Sequence, residues 1–219
     1  MRIAYNNLLP PLSEVKDGQP TGLAVEILAA ALERAGIAIE LVPLPLEQME
    51  LSLQDGRAIA AFPMAITAER REVLDFSDTL LMTGGALYVR APELTPEGLK
   101  ALAGKTVVTP KTGPLAAFIR KTAPEVKLVV AEDYESSLAR LVAGEADAAA
   151  LNYQAGTMIA NRGYPGRVTT PAAMFLELPL GAAVIKGRNA ELLAGLNTGL
   201  ASIRADGTWD RINKGWLDR

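Results

Sequence analysis

Neither cysteine nor histidine occurs among the 219 residues. This removes Ser-His-Asp and Cys-His nucleophilic chemistry within one chain. It also removes the usual zinc and copper ligands. Acid–base work falls to carboxylates, Lys, Tyr, Ser and Thr. There is no long basic run and the formal charge is −3, so no nucleic-acid surface is indicated. No window reaches about 18 uninterrupted apolar residues, and no membrane span is expected. The chain opens at Met1 with a strand-like RIAY rather than a signal-peptide pattern; either it is cytoplasmic or a targeting segment has been removed. What is present is apolar: 49% of the residues, enough for a sizeable core in one large domain or two small ones.

The pattern along the chain alternates between strand and helix. RIAYNN is a short β-rich run that ends in turn formers, and Asp17-Gly18 marks a turn. GLAVEILAAALERAGI carries a helical apolar stripe closed by Gly36. IAIELVPL alternates as a strand, LEQMELSLQDG is a second helix, and AIAAFPMA is an apolar strand. This βαβαβ order implies right-handed crossovers and a parallel sheet with helices on both faces. A second cycle follows: GKTVVTP, GPLAAFIRKTAP, VKLVVAE, YESSLARLVAGEA, DAAALN and a helical YQAGTMIANRG. LGAAVIKG is a further strand, and NAELLAGLNTGLASIRADG a long amphipathic helix. The two cycles show no clear sequence repeat. They predict two α/β lobes, the second inserted in the first, with crossings near LYVRAPE and FLELPLG. The boundaries expected are residues 1–88 and 181–219 for lobe 1 and 89–180 for lobe 2. A cleft between such lobes is where open α/β sheets bind ligands. GPLAAF has neither the spacing nor the Lys-Ser/Thr of a nucleotide-binding loop, and no cofactor or metal is expected.

Five stretches, taken together and in order, resemble one family. They are DGQPTGLAVEILAAAL, ITAERREVLDFSD, LAGKTVVTPKTGP, LVAGEADAAALN and IKGRNAELLAGLNTGLASIRADGTWDRINKGWL. The family is the periplasmic solute-binding proteins of polar amino-acid ABC transporters, with their ITxxR…DFSxP signature. The resemblance covers nearly the whole chain. It implies a type II periplasmic-binding, Venus-flytrap fold, in which two lobes joined by two hinge strands close on a small solute. It also implies a monomer outside the cytoplasm that hands its ligand to a membrane permease, and no enzymatic activity.

The resemblance assigns roles to several residues, and the residue types and their positions set the expectation for the others. Arg70 is the position that binds the ligand's α-carboxylate, and a guanidinium fork suits that task. Thr67 adds a hydroxyl or caps the turn that presents Arg70, and Ala65 offers its backbone. Arg71 has no family role and is expected to face solvent or an ion-pair partner. Asp75 and Asp78 hold the DFSD segment, with Phe76 in the core. The ammonium anchor of the family falls on Asn152, an amide where the family has aspartate, with Tyr153 beside it. The aromatic positions that sandwich the ligand fall on Leu9 and Leu46. Pro63 has no N–H to donate. Thr112 and Gly113 open a helix whose N-terminus favours an anion, with Lys111 alongside. Tyr5 and Asn6 end the first strand and line the cleft. Trp209 and Trp216, at helical spacing, are expected in the core.

The ligand expected is a small carboxylate, an amino acid or a related acid. Two other outcomes of the same fold are a sensor domain of a membrane receptor and a dehydratase-like enzyme. The latter would need Glu177, Glu47 or Glu26 as general acid.

Overall fold

The computed structural model describes residues 1–111 and 113–218. In chain order the elements are β1 (Arg2–Asn6), β2 (Leu8–Leu9), β3 (Ser13–Lys16), β4 (Gln19–Thr21), α1 (Leu23–Arg34), β5 (Glu40–Leu44), α2 (Leu46–Gln54), β6 (Ala60–Ala65), α3 (Ala68–Val73), β7 (Leu74–Phe76) and β8 (Leu81–Arg90). They continue with β9 (Thr106–Pro110), α4 (Leu115–Thr122), β10 (Lys127–Ala131), α5 (Tyr134–Val142), β11 (Ala148–Asn152), α6 (Tyr153–Gly163), β12 (Val168–Thr169), β13 (Met174–Ile185), α7 (Ala190–Ala205) and α8 (Thr208–Leu217). The chain divides into two compact units, Met1–Met82 with Leu178–Trp216, and Thr83–Glu177 with Leu217–Arg219.

In the first unit β1 is the hub. It pairs in parallel with β5 on one side and β6 on the other. The antiparallel β13 adds to β6, and β7 adds to β13. The parallel arrangement follows from the connections: α1 and α2 are the crossovers that parallel neighbours require. Met49 and Leu53 of α2 pack with Ala4, Ala61 and Met64 beneath them, together with Leu74 and Ala183. Trp216 of α8 is 5% exposed. Trp209 is half-buried and donates its indole N–H to the Leu80 carbonyl at 2.8 Å. Phe76 is only partly buried and lies under the Arg71 guanidinium at 5.7 Å.

A three-stranded antiparallel sheet, β2–β3–β4, stands apart from this pattern. Asp17 and Gly18 both take positive φ, 51° and 74°, between Lys16 and Gln19, which pair across the turn. Positive φ at both central residues is what the right-handed strand twist demands of a two-residue hairpin loop. The sequence marks the turn, but strands of two to four residues carry too few alternations to announce themselves.

The second unit has the strand order β10–β9–β11–β8, with β12 against β8. Its sheet is covered on both faces, and the strand period of two sorts the residues accordingly. Ala149 and Leu151 join Ala86, Tyr88 and Val108 on one face. Ala148 and Ala150 join Leu87, Val89 and Val107 on the other. Tyr88 is fully buried, and its hydroxyl donates to the Tyr153 carbonyl at 2.7 Å and lies 2.9 Å from Thr157 Oγ1. Burial pushes its phenol well above the usual range.

Helices α1 and α7 of the first unit touch so closely at Gly199 that a Cβ there would lie 1.9 Å from the Ala31 carbonyl oxygen. Gly199→Ala is expected to destabilise the protein by about 1–3 kcal/mol through overpacking, outweighing the gain in helix propensity of up to about 1 kcal/mol. Urea denaturation monitored by circular dichroism measures this; a variant as stable as the wild type would show that the helices part without cost.

Candidate functional site

In the first unit, α2 and α3 begin at the carboxyl ends of parallel strands. β5 ends at Leu44 and α2 starts at Leu46; β6 ends at Ala65 and α3 starts at Ala68. This is the side of an open α/β sheet on which ligands are usually found. Thr67 is the N-cap of α3, with extended backbone, and its hydroxyl accepts the Arg70 N–H at 3.3 Å. The cap satisfies one of the free N–H groups at the helix start and fixes Arg70 at the third helical position.

The Arg70 head group is held on two sides. Its Nε donates to Glu50 Oε1 at 2.8 Å, and its Nη1 donates to the Ala65 carbonyl at 3.3 Å. The Arg70 side chain is 25% exposed and that of Glu50 42%. A guanidinium has five N–H donors, and these contacts use two. Among the described residues Nη2 has no partner. A partly exposed ion pair of this kind contributes about 0–1 kcal/mol to stability, so its consequence is geometric: it sets the direction of the remaining donors.

Thr67, Ala65 and Arg70 are thus brought together within one unit. Glu50 joins them without having been singled out in the sequence. The one local signal is its position four residues after Leu46, on the same face of α2. Leu46 is 49% exposed. Leu9 is half-buried in the short β2. Tyr5 and Asn6 are buried at 1% and 4% exposure, Tyr5 between Pro43 and Phe62 in the sheet. Desolvation raises the Tyr5 phenol pKa. Asn6 Oδ1 accepts the Leu8 N–H at 3.1 Å and its carbonyl accepts the Ser13 hydroxyl, so the residue shapes the turn into β2. Next to it, Asn7 Oδ1 is shielded from solvent and has no hydrogen-bond partner among the described residues.

Asn152, in the second unit, is the N-cap of α6. Its Oδ1 accepts the Ala155 N–H at 3.1 Å, and its Nδ2 donates to Thr83 Oγ1 at 2.8 Å. The Thr83 hydroxyl donates onward to Gln154 Oε1 at 2.8 Å. Gly113, at φ 84°, precedes α4 and is exposed. Lys111 is ion-paired with Glu132. Thr112 lies outside the described residues. Asp75 accepts the Gly187 N–H at 2.7 Å, and the Asp78 N–H donates to Asn197 Oδ1 at 2.8 Å, so both tie the DFSD segment to neighbouring elements. A hollow of about 360 Å³ in the first unit, beside Trp209 and Arg204, shares no lining residue with the Arg70 cluster. Among the described residues no group of three His, Cys, Asp or Glu could hold a metal ion, and no helix is long and apolar enough to cross a membrane.

The family model of bacterial extracellular solute-binding proteins, family 3, matches residues 1–219. The chain belongs to this family. The family is one of binding proteins, not enzymes. Among its relatives is the ABC transporter glutamine-binding protein GlnH of Bacillus subtilis (strain 168), 30% identical over 167 residues. That match takes in 75% of this chain and 60% of GlnH, so the chain spans well under the full length of this relative. The crystal structure of the second substrate-binding domain of Lactococcus lactis GlnP, in an open conformation, superposes with a TM-score of 0.84 at 24% identity. The superposition covers 100% of this chain and 95% of that one. A histidine kinase sensor domain with similarity to periplasmic binding proteins superposes with a TM-score of 0.67 at 25% identity, over 99% and 95% of the two chains. The family member has the type II periplasmic-binding fold that its motifs imply.

Replacing Asn152 by alanine removes both a helix cap and the donor to Thr83. Asn152→Ala is expected to cost about 1–2 kcal/mol of stability, measured as a lower urea midpoint at unchanged slope. A midpoint equal to that of the wild type would show that the cap is redundant.

Proposed function

We propose that this chain binds a small carboxylate-bearing solute, an amino acid or a related acid, outside the cytoplasm, as a monomer, and delivers it to the membrane permease of an ABC transporter. The observation that carries this reading is the Arg70 head group, fixed through Nε and one Nη1 donor, with Nη2 unpartnered among the described residues. A planar fork oriented in this way grips both oxygens of a carboxylate, and such charge-assisted bonds contribute roughly 1.5–3 kcal/mol net. The relative named for glutamine makes that amino acid the first solute to test. Thr67 acts through its cap on Arg70, and Ala65 through its carbonyl. Asn152, Gly113, Thr112, Leu9, Leu46, Tyr5 and Asn6 complete the set of residues proposed to contact or shape the ligand.

A second reading, favoured by the likeness to a histidine kinase sensor domain, is a receptor's ligand-binding module. It keeps the same ligand chemistry and changes only the recipient of the signal. A kinase encoded after a membrane span in the same gene supports sensing; a neighbouring permease and ATPase support transport.

A thermal-shift screen with L-glutamine and other small carboxylates tests the common part. A solute present at 100 times its Kd stabilises the protein by about 2.7 kcal/mol. Arg70→Ala is expected to lose that stabilisation while its circular dichroism spectrum stays native. Retained stabilisation in this variant would remove the carboxylate role. Arg71→Ala, a surface change beside it, is expected to alter the binding free energy by less than about 0.5 kcal/mol in isothermal titration.

A further inference from the structure

Resting on that reading of Arg70, we propose that Glu50 accepts the ammonium group of an α-amino-acid ligand, so that the Arg70–Glu50 pair recognises the ligand's carboxylate and ammonium together. A zwitterionic amino acid carries opposite charges on adjacent groups. Arg70 and Glu50 present the complementary pair, with Nε and Oε1 only 2.8 Å apart. Opposite charges so close attract a zwitterion with the reverse order of charge and discriminate against a ligand that has only one.

The Glu50 carboxylate has capacity for this. Oε1 accepts the hydrogen bond from Arg70 Nε–H, and Oε2 has no hydrogen bond among the described residues. An ionised carboxylate has about four lone-pair sites, and the side chain is 42% exposed, so one oxygen is committed and the other open. Its backbone is placed by the packing of α2: Met49, the preceding residue, is fully buried in the core of the first unit, and Glu50, roughly 100° further round the helix, is left at the flank of that buried face. The amide of Asn152 offers no comparable attraction. It is neutral, its oxygen caps α6, and its nitrogen is spent on Thr83.

Two other roles for Glu50 predict different results. If it only orients Arg70, its loss weakens every carboxylate ligand alike. If it is an internal competitor that the ligand carboxylate must displace, its loss strengthens every one. As the ammonium acceptor it affects only ligands that carry the ammonium.

The experiment is isothermal titration of the wild type, Glu50→Gln and Arg70→Ala with the common L-amino acids, and with the des-amino acid of each that binds (glutaramic acid in the case of L-glutamine). The isosteric Glu50→Gln variant is first checked for a native spectrum and thermal midpoint. The expected result is a loss of about tenfold or more in amino-acid affinity for Glu50→Gln, as for a charge-assisted bond replaced by a neutral one. The amide oxygen that replaces Oε1 can still accept the Arg70 Nε–H and keep the guanidinium aimed, so the des-amino acid is expected to change by less than about threefold. Equal losses, a gain for both ligands, or unchanged amino-acid affinity would overturn the role of Glu50 while leaving Arg70 as the carboxylate site. A wild type that binds des-amino acids through Arg70 but no amino acid would do the same. Binding that persists in Arg70→Ala would overturn the carboxylate reading itself, and the role of Glu50 with it.

Discussion

The guanidinium of Arg70 is held between the Glu50 carboxylate and the Ala65 carbonyl, and the functional reading of this protein depends on that arrangement. Each partner comes from a different element, Glu50 from α2 and Ala65 from the end of β6, while Arg70 itself sits in the first turn of α3. Three pieces of backbone therefore have to be correct before one side chain is aimed. The energy of the ion pair is small because it is partly exposed. Its value is that a long, flexible side chain loses most of its freedom before any ligand arrives, and preorganisation of this kind lowers the cost of binding.

The fold supplies the placement in a simple way. In the first unit β1 lies between two parallel neighbours, so β5 and β6 run in the same sense and release their following helices at the same edge. The buried residues of α2 anchor it on the sheet, and Leu46 and Glu50 lie at the flank of that buried face. The cap at Thr67 does the corresponding work for α3. The second unit uses the same devices for other ends: a strand followed at once by a capped helix, with Asn152 as both the last residue of β11 and the cap of α6. An amide in that position serves as acceptor and donor at once, which a carboxylate could not do toward Thr83.

Much of this was legible along the chain. The helices α1, α2, α4, α5, α6 and α7 and the strands β1, β5, β6, β9, β10 and β11 follow the apolar periodicities that predict them. The DFSD segment is tied down by Asp75 as its motif suggests. The small sheet of β2, β3 and β4, the strand β7 and the full length of β13 were not legible. Short strands have too little alternation, and β13 runs through MFLELP, where proline and an exposed glutamate interrupt the apolar pattern. Within the candidate site, the contacts among Ala65, Thr67 and Arg70 span five residues or fewer and come with the motif.

The sequence by itself determined the family, the alternation of strands and helices, and which arginine is proposed to meet an anion, because these rest on local periodicity and on a contiguous motif. Only the tertiary structure decided what faces that arginine. Glu50 lies twenty residues earlier in the chain, on another helix, and its spacing from Leu46 is all that distinguishes it from Glu47, the other acid of α2. It reaches Arg70 because two crossovers bring two strand ends to one edge of a sheet. Proximity of that kind is set by packing and topology, which no spacing in a single chain records.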